Sequence, residues 1–119
     1  MATNPISRFP ELSLQAVMAG DECTFRCSGR IVSDTVDSLK SEVKPAIARF
    51  HTVVLDLTDV SYMDSSGLGA IVGLYASARS ANCELKLINL NRRLKELFSI
   101  TRLGEVLAKG RDPDYLGMP

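Results

Sequence analysis

Hydrophobic and polar residues alternate over positions 11–18, with Leu12, Leu14, Ala16 and Met18 on one side, and again over 22–28 with Cys23, Phe25 and Cys27. Such period-two patterning marks half-buried strands. Ala19-Gly20-Asp21 between the two runs supplies a hairpin loop. Thr52-Val53-Val54-Leu55-Asp56-Leu57 is nearly continuous in apolar, β-branched character, which predicts a central strand covered on both faces. Between these strands Val36, Leu39, Val43, Ile47 and Phe50 recur at helical spacing and predict a helix near 35–49. The preceding Ser33-Asp34 can accept hydrogen bonds from its first free amides. Pro45 inside this helix removes one hydrogen bond and crowds the carbonyl four residues back, so a kink or an early end is expected there.

A second helix is predicted from about Ser66 to Ala81, with Leu68, Ile71, Val72, Tyr75 and Ala78 as its inner stripe. Glu84 to Leu90 reads as a strand, Asn91 as the cap of a third helix carrying Leu94, Leu97 and Phe98, and Val106-Leu107-Ala108 as a short last strand. Strands that alternate with helices after an opening antiparallel hairpin predict an α/β fold. Its sheet is mixed, continued by parallel β-α-β units with right-handed crossovers, and the helices pack against it. The pattern gives one domain over residues 11–109, an N-terminal extension at 1–10 and a polar C-terminal tail at 110–119.

The length of 119 residues is enough for a single core, and the 14 basic residues equal the 14 acidic ones. Such a balance gives the chain little long-range attraction for nucleic acid or anionic lipid, so neither is expected as a partner. No apolar run approaches the ~20 residues that span a bilayer, and Met1 to Pro10 lacks a basic-then-apolar leader. These features predict a cytoplasmic protein without membrane insertion. Cys23, Cys27 and Cys83 are odd in number and follow neither a redox nor a zinc spacing, so they read as reduced core residues. No metal site and no cofactor is expected.

The densest unusual segment is Val60-Ser61-Tyr62-Met63-Asp64-Ser65-Ser66-Gly67-Leu68-Gly69, read as the loop joining the buried strand to the second helix. Two hydroxyls and a carboxylate at a helix start can simply cap it. Behind them Ser66, Ala70, Gly73 and Ser77 follow at intervals of four, three and four, with Gly69 alongside, and make a small, flat helix face. Close packing inside the chain and docking of a partner both suit such a face. A phosphoryl group on Ser66 would add about −1.5 to −2 charges at its edge. Backbone amides and the helix dipole tolerate that anion in the free domain, while a docked partner would have to bury it.

Other chemistries fit poorly. Gly67-x-Gly69-x-x-x-Gly73 lacks the third glycine of a dinucleotide turn, since position 72 is Val, and about eight residues separate it from the predicted strand. Asn89 and Asn91 stand where a ribose-binding acid belongs. Hydrolysis at Ser65 or Ser66 needs a base, and the single histidine, His51, is expected at the opposite end of the sheet. No catalytic residues and no enzyme are predicted.

With these residues in place, the chain resembles stand-alone STAS domains, and among them bacterial anti-sigma-factor antagonists. The likeness rests on Asp64-Ser65-Ser66-Gly67-Leu68-Gly69, on Val53-Val54-Leu55-Asp56-Leu57-Thr58-Asp59-Val60, and on Leu97-Phe98 followed by Thr101-Arg102-Leu103-Gly104. It implies phosphorylation of Ser66 by a serine-kinase anti-sigma factor, which the unmodified form sequesters to free a sigma factor. A separate phosphatase, of PP2C type, would restore the switch. By the same resemblance Asp64, Ser65 and Gly67 form the site loop. By that likeness Ser33, Asp34 and Thr35 would contribute to kinase docking, and Tyr62 and Met63 with the small helix face of Gly69, Ala70, Gly73 and Ser77 are expected to bind the partner. The chain departs from the family at Gly29-Arg30-Ile31-Val32, where many relatives resemble Gly-Glu-Leu-Asp, which points to a different partner. A non-switching STAS module within a larger assembly, such as a lipid transporter subunit or a stress-signalling complex, is the alternative.

Overall fold

A computed structural model of the protein describes residues 12–101; the predicted strand at 106–108, the extension at 1–10 and the tail at 110–119 lie outside them. The described chain runs β1 (Leu12–Ala19), β2 (Glu22–Ile31), α1 (Val36–Arg49), β3 (Thr52–Met63), α2 (Ser65–Ser80), β4 (Glu84–Ile88) and α3 (Arg92–Thr101). The four strands form one sheet in the order β1-β2-β3-β4. β1 and β2 are antiparallel, and β2-β3 and β3-β4 are parallel, as the alternation of elements predicts. The hairpin turn narrows to Gly20-Asp21, with Ala19 opposite Glu22. Gly20 has φ +59 and Asp21 does not share the positive φ, the arrangement of a type II′ turn whose first central position favours glycine.

Register explains the core. Cys23, Val53 and Leu85 lie side by side across β2, β3 and β4, and so do Phe25, Leu55 and Leu87. All six are buried in one cluster with Leu39, Val43 and Ile47 of α1, Leu68, Ile71 and Leu74 of α2, and Leu94 and Phe98 of α3. The opposite face is polar or half-buried in its middle rows, with Thr24, Val54 and Lys86 in one and Arg26, Asp56 and Ile88 in the next. Val54 alone among these six is buried, so β3 is interior without being apolar on both faces as its sequence suggested. The three cysteines are free and buried, and burial pushes their thiols up, with Cys27 raised to about 12 by burial and then by the charge of Asp56.

Three local expectations change. α1 continues through Pro45 to Arg49 without ending early, because its buried residues Leu39, Val43, Ala46 and Ile47 hold it to the sheet on both sides of the proline. Neither Ser33 nor Asp34 caps α1; Thr35 occupies the cap position, and its side chain bonds elsewhere. β3 extends six residues past its expected end, so the predicted serine loop is largely strand and only Asp64 separates β3 from α2. The extension depends on two register shifts. Arg26 pairs Asp56 but Ser28 pairs Asp59, and Gly29 pairs Val60 but Arg30 pairs Tyr62. Each shift adds a residue to β3 and moves the buried positions from Leu57 to Val60 and then Met63, at intervals of three.

Candidate functional site

The first β3 bulge is held by Asp56. Its Oδ1 accepts from the Thr58 amide at 3.0 Å, the Thr58 hydroxyl at 2.6 Å and Asn89 Nδ2 at 3.1 Å. Burial on its own would raise this carboxyl, but the Thr58 and Asn89 hydrogen bonds and the charge of Arg26 outweigh it and hold the pKa below the ordinary value. Asn91 acts one step further along: its Nδ2 donates to the Val60 carbonyl at 3.2 Å and its Oδ1 accepts from the Leu94 amide at 2.8 Å. That is the expected N-cap of α3, and it also fixes the bulged half of β3. Together these contacts set where β3 ends and α2 begins.

At that junction Asp64 binds in two directions. Its Oδ1 accepts from the Gly67 amide at 3.0 Å, capping α2, and its Oδ2 accepts from the Ser33 amide at 3.4 Å, tying in the segment that leads to α1. The Asp64 amide donates to the Ile31 carbonyl at 3.3 Å. Gly67 is buried against the end of β2, where a Cβ would collide with the Ile31 carbonyl oxygen and come within 2.6 Å of Met63 Cγ. A glycine is required here by close approach of backbone to backbone.

The carboxylate thus does the capping, and the two serines are left over. Ser65 is exposed and Ser66 half-buried, and no described polar group bonds the Ser66 hydroxyl. Their amides lie in the first helical turn, where free N–H groups and the helix dipole favour negative charge. Behind them the outward face of α2 includes Gly69, Gly73 and Ala76, all exposed, with half-buried Ser77 at one border and Val72, expected in the inner stripe, half-buried at the other. A Cβ at Gly69 or Gly73 would meet nothing within 4 Å. Packing among the described residues therefore gives no reason for either glycine.

The remaining predicted partner residues divide by burial. Ser33 and Asp34 are exposed beside the Asp64 loop, and Tyr62 is 43% exposed. Thr35, Met63 and Ala70 are buried, each only 4% exposed, and they support the surface from beneath instead of forming it. Thr35 is turned inward because its hydroxyl accepts from the Val32 amide at 2.9 Å and lies 2.8 Å from the Arg30 carbonyl, to which it donates. Met63 follows the second bulge, which rotates Tyr62 outward and Met63 into the core. Ala70 falls within the wide buried arc of α2, which faces the sheet and α1 at once and takes in Gly67, Leu68, Ala70, Ile71, Leu74, Tyr75 and Ala78.

Two surface residues were given no role by the sequence. Ala76 completes the small face one turn after Gly73, and the pattern of small residues beyond position 73 was the available signal. Arg30 is exposed and sets its guanidinium 5.7 Å from the centroid of the Tyr62 ring. No sequence spacing links positions 30 and 62; only the bulged register does. Val32 is buried at 7%, so Arg30 is the residue of the divergent Gly29-Arg30-Ile31-Val32 segment that most plainly meets solvent. Ser61 and Tyr62 apart, the other end of β3 is remote: His51 precedes Thr52, roughly 30–35 Å of strand from Met63. Among the described residues no group of three His, Cys, Asp or Glu side chains is placed to hold a metal ion, and no helix is long and apolar enough to cross a membrane.

Comparison with known proteins agrees with this architecture. Residues 13–112 match the STAS domain family. The anti-sigma-B factor antagonist of Listeria monocytogenes is 51% identical over 88 residues, covering 73% of this chain and 77% of that protein. The anti-sigma factor antagonist SpoIIAA in its unphosphorylated form superposes with a TM-score of 0.68 at 22% identity, covering 78% of this chain and 84% of that one. The phosphorylated form of the Bacillus cell fate determinant SpoIIAA gives 0.64 at 22% identity, over 78% and 86% of the two chains. With its fold, its Asp-Ser-Ser-Gly helix start and these relatives in agreement, the chain belongs to the STAS domain family.

Proposed function

We propose that this protein is a cytoplasmic anti-sigma-factor antagonist whose unmodified form binds a serine-kinase anti-sigma factor and is released when Ser66 is phosphorylated. One observation carries the reading. Gly69 and Gly73 stand in the exposed face of a helix with open space where a Cβ would be, directly behind a hydroxyl that no described group uses. Glycine costs a helix interior about 1 kcal/mol relative to alanine, and nothing among the described residues offsets that cost here. A partner surface lying flat on α2 does. The names of the relatives supply the class of partner, and the existence of a phosphorylated SpoIIAA supports a phosphorylation switch on this fold.

In this reading the kinase transfers the γ-phosphoryl group of ATP to Ser66 Oγ, which loses its proton as ADP departs. The new dianion lies among the first-turn amides of α2, while both Asp64 oxygens are already engaged by Gly67 and Ser33. The fold therefore tolerates it. A partner seated on Gly69 and Gly73 would have to desolvate it, and a surviving penalty of ~3 kcal/mol lowers affinity about a hundredfold. A PP2C-type phosphatase would reset the site. The role is binding, with catalysis belonging to the partner. A non-switching module in a larger assembly would use the same face but gives the open hydroxyl no task.

The test combines binding and modification. With the cognate kinase and ATP, mass spectrometry should place one phosphate on Ser66, and Ser66→Ala should abolish labelling while retaining binding. Ser66→Asp should weaken binding about a hundredfold with little change in melting. Labelling at another residue, or equal binding by both variants, removes the switch.

A further inference from the structure

Among the described residues the two outer strands of the sheet differ. β4 is five residues long, carries Glu84 and Lys86, which both have interaction partners, and has no fully exposed residue. β1 is eight residues long, Leu-Ser-Leu-Gln-Ala-Val-Met-Ala, with six of the eight exposed. It contains no charge and no proline, and its pairing with β2 has no bulge. Val17 and Met18 are each 63% exposed, on opposite faces of the strand. Proteins ordinarily blunt an exposed edge with charge, proline, a bulge or shortness, and β1 has none of these.

The two-residue turn fixes which amides are available. Ala19 and Glu22 flank it as a hydrogen-bonded pair, so Met18, Ala16, Leu14 and Leu12 alternate with that pair and direct their N–H groups away from β2. Four donors along an uncharged strand form an open template. We propose that β1 pairs antiparallel with β1 of a second copy, about a two-fold axis near Ala16, joining two four-stranded sheets into one. A second copy is favoured by charge. Within Leu12–Ala19 self-pairing brings no like charges together, and these eight residues offer no charge by which a different protein would be selected. Val17 pairs Thr24, which pairs Val54, nine residues before Met63, so the exposed end of β1 lies roughly 30 Å of strand from the serine site. Both copies can therefore keep that site open.

Sedimentation of the full chain from about 1 µM to about 1 mM should show a reversible monomer–dimer equilibrium. Amide exchange at Leu14, Ala16 and Met18 should slow as concentration rises, with the hairpin amides of Ser13, Gln15 and Val17 unchanged. Val17→Lys and Val17→Glu should each weaken association at least tenfold, and mixing the two should restore it, because diagonal positions across a strand pair reach one another. Ala16→Pro removes an amide that β2 does not use and should give a monomer with normal melting; if it misfolds, the charge pair still decides. A chain that stays monomeric throughout, a dimer unmoved by the Val17 variants, or loss of anti-sigma-factor binding in those variants would each overturn the proposal.

Discussion

Helices α1 and α2 both follow the C-terminal end of an interior strand, and both are entered through a triplet of acid and hydroxyl residues, Ser33-Asp34-Thr35 and Asp64-Ser65-Ser66. In the first, a hydroxyl satisfies the backbone: Thr35 Oγ1 serves Val32 and Arg30 and is buried, while the acid Asp34 stays on the surface. In the second the roles are exchanged. Asp64 satisfies the Gly67 and Ser33 amides, and among the described residues both serines are left without an internal task. Similar residues at equivalent points of the fold thus differ in availability, and the difference is decided by which group takes the orphan amides. A hydroxyl becomes a candidate for modification where a carboxylate has already done the capping.

The sharpest way to break this contrast is to remove each hydroxyl. Thr35→Val keeps the shape but leaves the Val32 amide without its acceptor, which should cost about 1–3 kcal/mol in denaturant melts. Ser66→Ala removes a group that bonds nothing described and should change stability by less than about 0.5 kcal/mol. Equal losses would mean that the two helix starts are equivalent after all. A smaller effect is expected from Asp64→Ala, which removes a cap and the link to Ser33 and should cost about 1 kcal/mol. In addition, hydrogen exchange should rise at Gly67 and Ser33 together; exchange at Gly67 alone would show that the bridge between the two segments carries nothing.

The order of elements was legible in the sequence because it depends on periodicity, and the periods hold through the first half of β1, β2, α1 and the first half of β3, while Ala16 and Met18, expected on the inner side of β1, are exposed. Legibility failed where the period changed. The buried positions of β3 run 53, 55 and 57 and then 60 and 63, so two bulges disguise a strand as a loop. The same bulges place Tyr62 beside Arg30 and bury Met63, which no local pattern announces. Asp64, Ser65 and Ser66 stood out by residue type and position, but which would be internally bonded depended on Ser33 and Ile31, more than thirty residues earlier in the chain. The burial of Ala70 followed from α1 packing beside α2, a contact between helices that a stripe drawn on one helix omits.

The smallest expected effect separates stability from function along α2 itself. At Gly67 a side chain has no room, whereas at Gly73, six residues later on the same helix, a Cβ enters open space. Gly73→Ala should therefore stabilise the free domain, by about 0.5–1 kcal/mol, because alanine loses less conformational entropy in a helix. If the face exists for a partner, the same methyl group should raise the dissociation constant for the anti-sigma factor, since a flat contact has no space for it. A rise in melting temperature accompanied by weaker binding means that the glycine is kept against the interest of the fold. A rise in stability with binding unchanged would place the partner elsewhere, and Ser66 would then lie outside the surface it is proposed to control.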